Sequence, residues 1–119
     1  MQDLDLLVPE KEVFRAKQLL IRRGYVELRP DRIGLKNGRI VSLGHHLTPL
    51  ENPASKLKIE LHYRVMYCIG AQALPAQRAW ETAMDFTLNK FPVKIMVPTD
   101  RILHTVLHAT ACTNRCSIQ

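Results

Sequence analysis

The sequence predicts an α+β fold, a small mixed β-sheet with flanking helices. Some stretches repeat their apolar residues at helical spacing and others alternate apolar with polar residues, without the regular strand–helix alternation of a parallel α/β sheet. The 119 residues are 46% hydrophobic and 24% charged. This composition suits one core and excludes a disordered or collagen-like chain, so we expect residues 1–119 to form a single domain.

The chain opens with a strand and then a helix. Residues 4–8 are apolar except for Asp5 and are followed by Pro9, which cannot continue the hydrogen-bonding ladder of a sheet. Apolar residues then recur at helical spacing, acidic residues lie in the first turn, and Gly24 supplies a C-cap. A helix is therefore predicted over residues 9–23.

Three further strands are predicted before the middle of the chain. Residues 25–29 and 39–43 alternate, and Asn37 and Gly38 are typical of a tight hairpin turn. Residues 44–55 are rich in Gly, Pro, Asn and Ser, which predicts an ordered loop. Residues 56–66 form the clearest strand, and its two faces are apolar (Ile59, Leu61, Tyr63, Val65) and polar (Lys58, Glu60, His62, Arg64).

The second half is predicted to contain two helices and a short edge strand. A helix is predicted over residues 76–86 and a short edge strand over residues 93–97. Pro98, Thr99 and Asp100 then open a last helix. The apolar stripe of that helix consists of Ile102, Leu103, Val106 and Leu107.

The charge and the cysteine content of the chain limit which compartment and which partners are expected. The net charge of +6 favours polyanionic partners such as nucleotides or nucleic acid, but aromatic residues are only 6%, which gives little support for stacking on single strands. Neither a signal peptide nor a membrane span is recognisable, so we expect a cytoplasmic protein. The three cysteines, Cys68, Cys112 and Cys116, are expected as reduced thiols.

Three acidic residues are candidate metal ligands. Asp3 and Asp5 are two residues apart on a predicted strand, so their side chains leave the same face, and Glu60 is a third strand carboxylate. Mg²⁺ takes hard oxygen ligands of this kind together with substrate phosphates. By local pattern alone, solvated acids at a strand end are the alternative interpretation.

A second set of ligand-type residues lies in the last helix. His104, His108, Cys112 and Cys116 recur at intervals of four and share one stripe. The helix rise spreads four such positions over about 18 Å, so at most two adjacent members can share one ion. Packing or a structural hydrogen bond is the preferred interpretation for this stripe.

Several motifs together resemble the uncharacterised nucleotidyltransferase family of the polymerase β superfamily. In chain order they are Asp3-Leu4-Asp5-Leu6-Leu7-Val8, Arg23-Gly24-Tyr25, His45-His46-Leu47-Thr48-Pro49-Leu50, Ile59-Glu60-Leu61-His62 and residues 103–108. The resemblance implies transfer of a nucleoside monophosphate from an NTP to an acceptor, with Mg²⁺ or alternatively Mn²⁺. It also implies that Asp3, Asp5 and Glu60 are the catalytic metal ligands.

The three histidines of these motifs are candidates for contacts with the bound cofactor or substrate. The resemblance suggests that His45 and His46 lie near the acids, where a neutral imidazole can accept a proton or simply form a hydrogen bond. His62 shares a strand face with Glu60 and is expected to orient that carboxylate.

The family pattern differs from this chain at one place. Superfamily members carry a strand and a phosphate-holding Gly-Ser turn upstream of the paired acids, whereas here only two residues precede Asp3. We therefore expect a truncated domain with weak transferase activity or none, and a free sheet edge that pairs in a homodimer. The alternatives are a catalytically silent binding or dimerisation module and a basic domain whose nucleic-acid affinity falls with salt.

Overall fold

The computed structural model describes residues 3–31, 33–42, 44–66 and 70–115 and has the predicted α+β architecture. The chain forms two compact units, residues 1–64 and 65–119. Each unit is described by itself below, and the assignment of residues 1–119 to one functional domain stays a prediction.

The described residues of the first unit form one long helix and six strands. Its elements are β1 (Asp3–Leu7), a 3₁₀ turn (Glu10–Glu12), α1 (Val13–Arg22), β2 (Val26–Glu27), β3 (Gly34–Lys36), β4 (Arg39–Val41), β5 (Leu50–Glu51) and β6 (Lys58–His62). The predicted first strand and first helix are confirmed, although the first turn of the helix is 3₁₀ rather than α.

Four of these strands form one sheet in the order β1-β6-β5-β2. β1 runs parallel to β6, with Asp5 opposite Glu60 and Leu7 opposite His62, and β5 runs antiparallel to both β6 and β2. β1 therefore lies at one edge of the sheet and β6 inside it.

The apolar face of β6 belongs to the core of the first unit. Ile59 and Leu61 are at most 5% exposed, and the chain beyond β6 adds Tyr63 at 2%. They pack in one cluster with Val13 of α1 and with Ile40, Leu47 and Leu50. The predicted apolar face of this strand is confirmed, and the opposite face is left for polar side chains.

The β3–β4 hairpin forms around the predicted turn. Asn37 and Gly38 have φ angles of 51° and 73°, the left-handed conformations that a tight hairpin turn requires. β4 ends at Val41, and Leu43, the predicted end of this strand, lies outside the described residues.

The prediction that residues 44–55 form only a loop is wrong at β5. Leu50 is fully buried and pairs with Ile59, and Glu51 pairs with Lys58. A two-residue strand carries no periodicity of its own, so the sheet determines its conformation.

The second unit consists of α2 (Gly70–Ala73), α3 (Ala76–Thr82), β7 (Met84–Leu88), β8 (Phe91–Ile95) and α4 (Pro98–Arg115). The predicted helix over residues 76–86 is wrong beyond Thr82, because residues 84–88 pair with β8 in an antiparallel hairpin. Asp100, in the first turn of α4, is buried and accepts hydrogen bonds from Arg78 and Thr82 of α3.

The last helix is formed as predicted, and its two described histidines have ring centroids 5.9 Å apart. Cys68 and Cys116 lie outside the described residues. Within the part of the chain that the structure covers, helices lack the combination of length and apolar character that a bilayer crossing needs.

Candidate metal centre

Two neighbouring strands bring carboxylates from distant parts of the sequence together. Asp5 of β1 and Glu60 of β6 occupy paired positions of a parallel ladder. Side chains at paired positions of adjacent strands leave the same face of a sheet, and residues two apart on one strand share that face as well. Asp5, Glu60 and His62 therefore converge on the polar face of the sheet.

The distances within this cluster are short. The His62 Nε2 atom lies 3.4 Å from Glu60 Oε2 and 3.6 Å from Asp5 Oδ1. One ligand atom from each of the three residues lies within 4.8 Å of the other two. Two donors that each lie about 2.1 Å from a single ion are about 3.0 to 4.2 Å apart, so the two His62 distances match a shared ion.

The segment around His46 flanks β6 on the side opposite β1. The Leu47 amide donates to the Leu61 carbonyl at 2.9 Å, and the Tyr63 amide donates to the His45 carbonyl at 2.9 Å. His46 thereby forms an isolated antiparallel bridge with His62. The ring centroids of His46 and His62 are 5.1 Å apart, and His46 Nε2 lies 3.9 Å from Glu60 Oε2.

A backbone hydrogen bond fixes the tautomer of His46. Its Nδ1 atom lies 2.6 Å from the Leu47 carbonyl oxygen, which can only accept a hydrogen bond. Nδ1 therefore carries a proton, and Nε2 is the ring nitrogen that lies near Glu60.

The surroundings of His62 disfavour the protonated form of its imidazole. Burial lowers the pKa of His62 below its ordinary value, and the nearby His46 acts in the same direction, outweighing the opposite influence of Asp5 and Glu60. The Nε2 atom is buried and has no hydrogen-bond partner of good geometry. A buried nitrogen of this kind is costly unless something binds it, which makes it a candidate ligand.

Arg64 holds the chain that leads to the two histidines. Its guanidinium donates to the carbonyls of Ser42 at 2.6 Å, Gly44 at 3.1 Å and Ile40 at 3.4 Å. The Ser42 hydroxyl also accepts a hydrogen bond from the Gly44 amide at 3.0 Å. These contacts tie the loop after β4 to the end of β6 and so position His46.

A cavity of about 550 Å³ opens beside His46. This volume falls in the range of small-molecule sites. Its lining combines a cationic residue, a carboxylate, hydroxyl groups and apolar walls, from Arg29, Pro30, Asp31, Ile33, Ser42, His46, Leu47 and Thr48. Asp31 is already engaged, since it bonds Lys17 and the Thr48 amide.

The structure brings most of the sequence-predicted site residues together. Asp5, Glu60, His46 and His62 meet on one face, and the His45 ring lies 4.7 Å and 5.1 Å from the rings of His46 and His62. Asp3 shares the strand face of Asp5 and is exposed, but it does not belong to the three-residue group. Its function as a metal ligand stays a prediction.

The sequence predicted that His62 contacts the cofactor and orients Glu60, but it did not single out His62 as a metal ligand or Arg64 as a support. The Glu60-x-His62 spacing, which puts both side chains on one face of a strand, was the available signal for His62 as a ligand. No comparable signal exists for Arg64, since its partners are backbone carbonyls 20 or more residues away.

Comparison with known proteins gives one match. A family model described as uncharacterised nucleotidyltransferase matches residues 1–118. No curated protein and no solved structure matches the chain.

Proposed function

Because the chain belongs to the uncharacterised nucleotidyltransferase family, we propose that it transfers a nucleoside monophosphate from an NTP to an acceptor hydroxyl. The observation that carries this proposal is the cluster of Asp5, Glu60 and His62, whose ligand atoms lie within 4.8 Å of one another. Two carboxylates on one sheet face are the ligand type that divalent ions use when they bind substrate phosphates.

The proposed reaction is an in-line substitution at phosphorus. The acceptor oxygen forms a bond to the α-phosphorus of the NTP, and the bond between the α-phosphorus and the oxygen that bridges to the β-phosphate breaks. Pyrophosphate leaves, and the hydroxyl proton passes to water. A divalent ion bound at the cluster would offset the negative charge of the phosphates.

The donor set supports such an ion. Asp5 and Glu60 supply oxygen ligands, and the buried Nε2 of His62 lacks a hydrogen-bond partner. We propose Mg²⁺ or Mn²⁺ at these three residues. Asp3, exposed on the same face of β1, would serve a second ion.

The cavity beside His46 supports a place for the substrate. It lies on the His46 side of the cluster and includes Arg29, whose guanidinium suits a phosphate group. We propose that the nucleotide extends from the Asp5–Glu60–His62 cluster into this cavity.

The test is a transfer assay with each labelled NTP, Mg²⁺ or Mn²⁺, and RNA, protein and aminoglycoside acceptors. Labelling of one acceptor by the wild type, and its loss in Asp5→Asn and Glu60→Gln, is the expected result. Asp85→Asn is the matched control, because Asp85 is an exposed strand carboxylate that pairs with Lys94. Labelling that survives both cluster substitutions would disprove the proposal.

The edge position of β1 favours a second candidate function, that of a dimerisation module. The Val8 amide donates to the His62 carbonyl at 2.8 Å, so by alternation the amides of Asp5 and Leu7 point away from β6. In the part of the chain that the structure describes, no strand pairs with this outer side. We propose that a second copy of the chain pairs there.

A further inference from the structure

The donor atoms of the cluster are not those of a typical magnesium site. Mg²⁺ is bound in proteins mainly by oxygen atoms and water, whereas imidazole nitrogen suits first-row transition ions. Here the buried Nε2 of His62 lies between Glu60 Oε2 at 3.4 Å and Asp5 Oδ1 at 3.6 Å. An ion that contacts both carboxylates meets this nitrogen as well.

A second imidazole, that of His46, lies next to the cluster. His46 donates its Nδ1 proton to the Leu47 carbonyl at 2.6 Å, and its Nε2 atom lies 3.9 Å from Glu60 Oε2. Histidines that bind metals commonly donate their other ring nitrogen to a backbone carbonyl or carboxylate, which fixes the tautomer and the ring. His46 has this arrangement although no ion is needed to produce the hydrogen bond.

The two imidazoles belong to two chain segments that pair side by side. His62 belongs to β6 itself, and His46 belongs to the segment that bridges to it. Arg64 holds the backbone of the loop before His46 through three carbonyls, and the hydrogen bond to the Leu47 carbonyl holds the His46 ring. The site is thus preorganised for a mixed nitrogen and oxygen ligand set.

We infer that Asp5, Glu60 and His62 form a site, flanked by His46, that selects a first-row divalent transition ion, such as Mn²⁺ or Co²⁺, over Mg²⁺. The inference rests on the proposed metal-dependent function and deepens it by assigning the class of ion. The two carboxylates bind either class of ion, and the His62 nitrogen supplies the discrimination.

The experiment measures metal binding without nucleotide. Free Mn²⁺ is followed by electron paramagnetic resonance while the protein is titrated with Mn²⁺, and Mg²⁺ is then added as competitor. We expect Mn²⁺ to bind at least about tenfold more tightly than Mg²⁺. Co²⁺ added to the metal-free protein should give a visible absorption spectrum altered by nitrogen ligands.

The histidine variants test the origin of the selectivity. His62→Gln keeps an oxygen donor near the site but removes the nitrogen, so the ratio of Mn²⁺ to Mg²⁺ affinity should fall several-fold and the Co²⁺ spectrum should change. Asp5→Asn should weaken both ions together and leave the ratio closer to that of the wild type. His108→Gln, the same exchange at an exposed histidine of α4, is the control.

Two results would overturn the inference: equal affinity for Mn²⁺ and Mg²⁺ in the wild type, or an unchanged ratio in a His62→Gln variant whose circular dichroism shows a native fold. Failure of the transferase proposal is distinguishable. A selective Mn²⁺ site without nucleotide transfer would contradict only the proposed reaction, and transfer with unselective metal binding would contradict only this inference.

Discussion

Asp31 is a partly buried carboxylate whose contacts hold three segments of the first unit together. It accepts a hydrogen bond from Lys17 of α1 at 2.8 Å and one from the Thr48 amide at 2.6 Å. Lys17 also pairs with Glu27 of β2. Both Lys17 and Asp31 have side chains only about a tenth exposed, so loss of one partner leaves a poorly solvated charge.

The state of ionisation of Asp31 makes stability depend on pH. Burial alone would raise the pKa of Asp31, but the hydrogen bonds from Lys17 and Thr48 outweigh it and lower the pKa below its ordinary value near 3.8. A carboxyl with a depressed pKa stabilises the fold above its unfolded-state value, and this contribution disappears as the pH falls through the folded-state value. The first unit should therefore lose stability below about pH 4.

Asp31→Asn should remove this acid dependence. At pH 7 the variant should lose about 1 to 3 kcal/mol of unfolding free energy, because Lys17 keeps Glu27 but loses its second carboxylate. Urea unfolding of both proteins between pH 3 and 7 measures the difference, which should shrink towards the acid end. A difference that is constant over the whole range would contradict this account of Asp31.

Arg64 is predicted to be a positioning residue for the metal centre. Arg64→Lys keeps the charge but cannot serve three carbonyls at once, and should cost about 2 kcal/mol of unfolding free energy. It should also weaken Mn²⁺ binding, since His46 loses its support. Arg15→Lys is the control, because Arg15 is highly exposed and pairs only loosely with Glu12. Unchanged Mn²⁺ affinity in Arg64→Lys would show that the loop after β4 keeps its conformation without the Arg64 guanidinium.

At the scale of the elements, the β3–β4 hairpin depends on backbone conformations that few residues adopt. Gly38 has a φ of 73°, and a Cβ atom there would meet nothing within 4 Å, so the cost of a side chain is purely conformational. Gly38→Ala should destabilise the first unit by about 1 kcal/mol.

The neighbouring glycine offers the matched control for this prediction. Gly34 in β3 lacks a positive φ, and a Cβ there would meet only the Val41 carbonyl at 3.9 Å. Gly34→Ala should change the unfolding free energy by less than about 0.5 kcal/mol. Thermal and urea unfolding of both variants provide the comparison, and equal losses would refute the conformational explanation.

The elements with a clear local period could be predicted from the sequence. β6 alternates, α1 repeats at helical spacing, and Asn37 and Gly38 mark their turn. The β7–β8 hairpin could not be predicted from the sequence. Its turn uses Asn89 and Lys90 at φ angles of 47° and 71°, and a lysine gives no turn signal. Met84 and Phe86 are apolar and directly follow the helical stretch, so the sequence predicts that the helix continues through them.

The residues of the candidate site also divide into those whose position could be predicted from the sequence and those whose position could not. Asp5 and Glu60 follow from strand alternation together with the family motifs, since both are acids on strand faces that adjoin in the sheet. The distance from His46 to Glu60 depends on an irregular segment that pairs with the end of β6. No residue pattern in that segment specifies the pairing, because long-range contacts determine it.

For the whole molecule, the free edge of β1 predicts self-association. The chain should form a dimer at high micromolar concentration, because the outward amides of Asp5 and Leu7 gain hydrogen-bond partners in a second copy. Leu7→Pro removes one outward amide without touching the bonds to β6, so this variant should be monomeric. Light scattering of both proteins measures the mass.

The mass of the wild type also gives the result that would contradict dimer formation. A wild type that stays monomeric at high micromolar concentration would contradict pairing at the β1 edge. Circular dichroism of Leu7→Pro is the control, since a variant that unfolds says nothing about the edge.

The adjacency of β1 and β6 has a consequence for how the protein would respond to chelation. Asp5 and Glu60 are 55 positions apart in the chain, so an ion held by both acts as a cross-link that the unfolded polypeptide lacks. At a concentration 100 times its dissociation constant, such an ion raises the unfolding free energy by about 2.7 kcal/mol. Treatment with EDTA should then lower the melting temperature of the metal-loaded wild type by several degrees and leave that of Asp5→Asn unchanged.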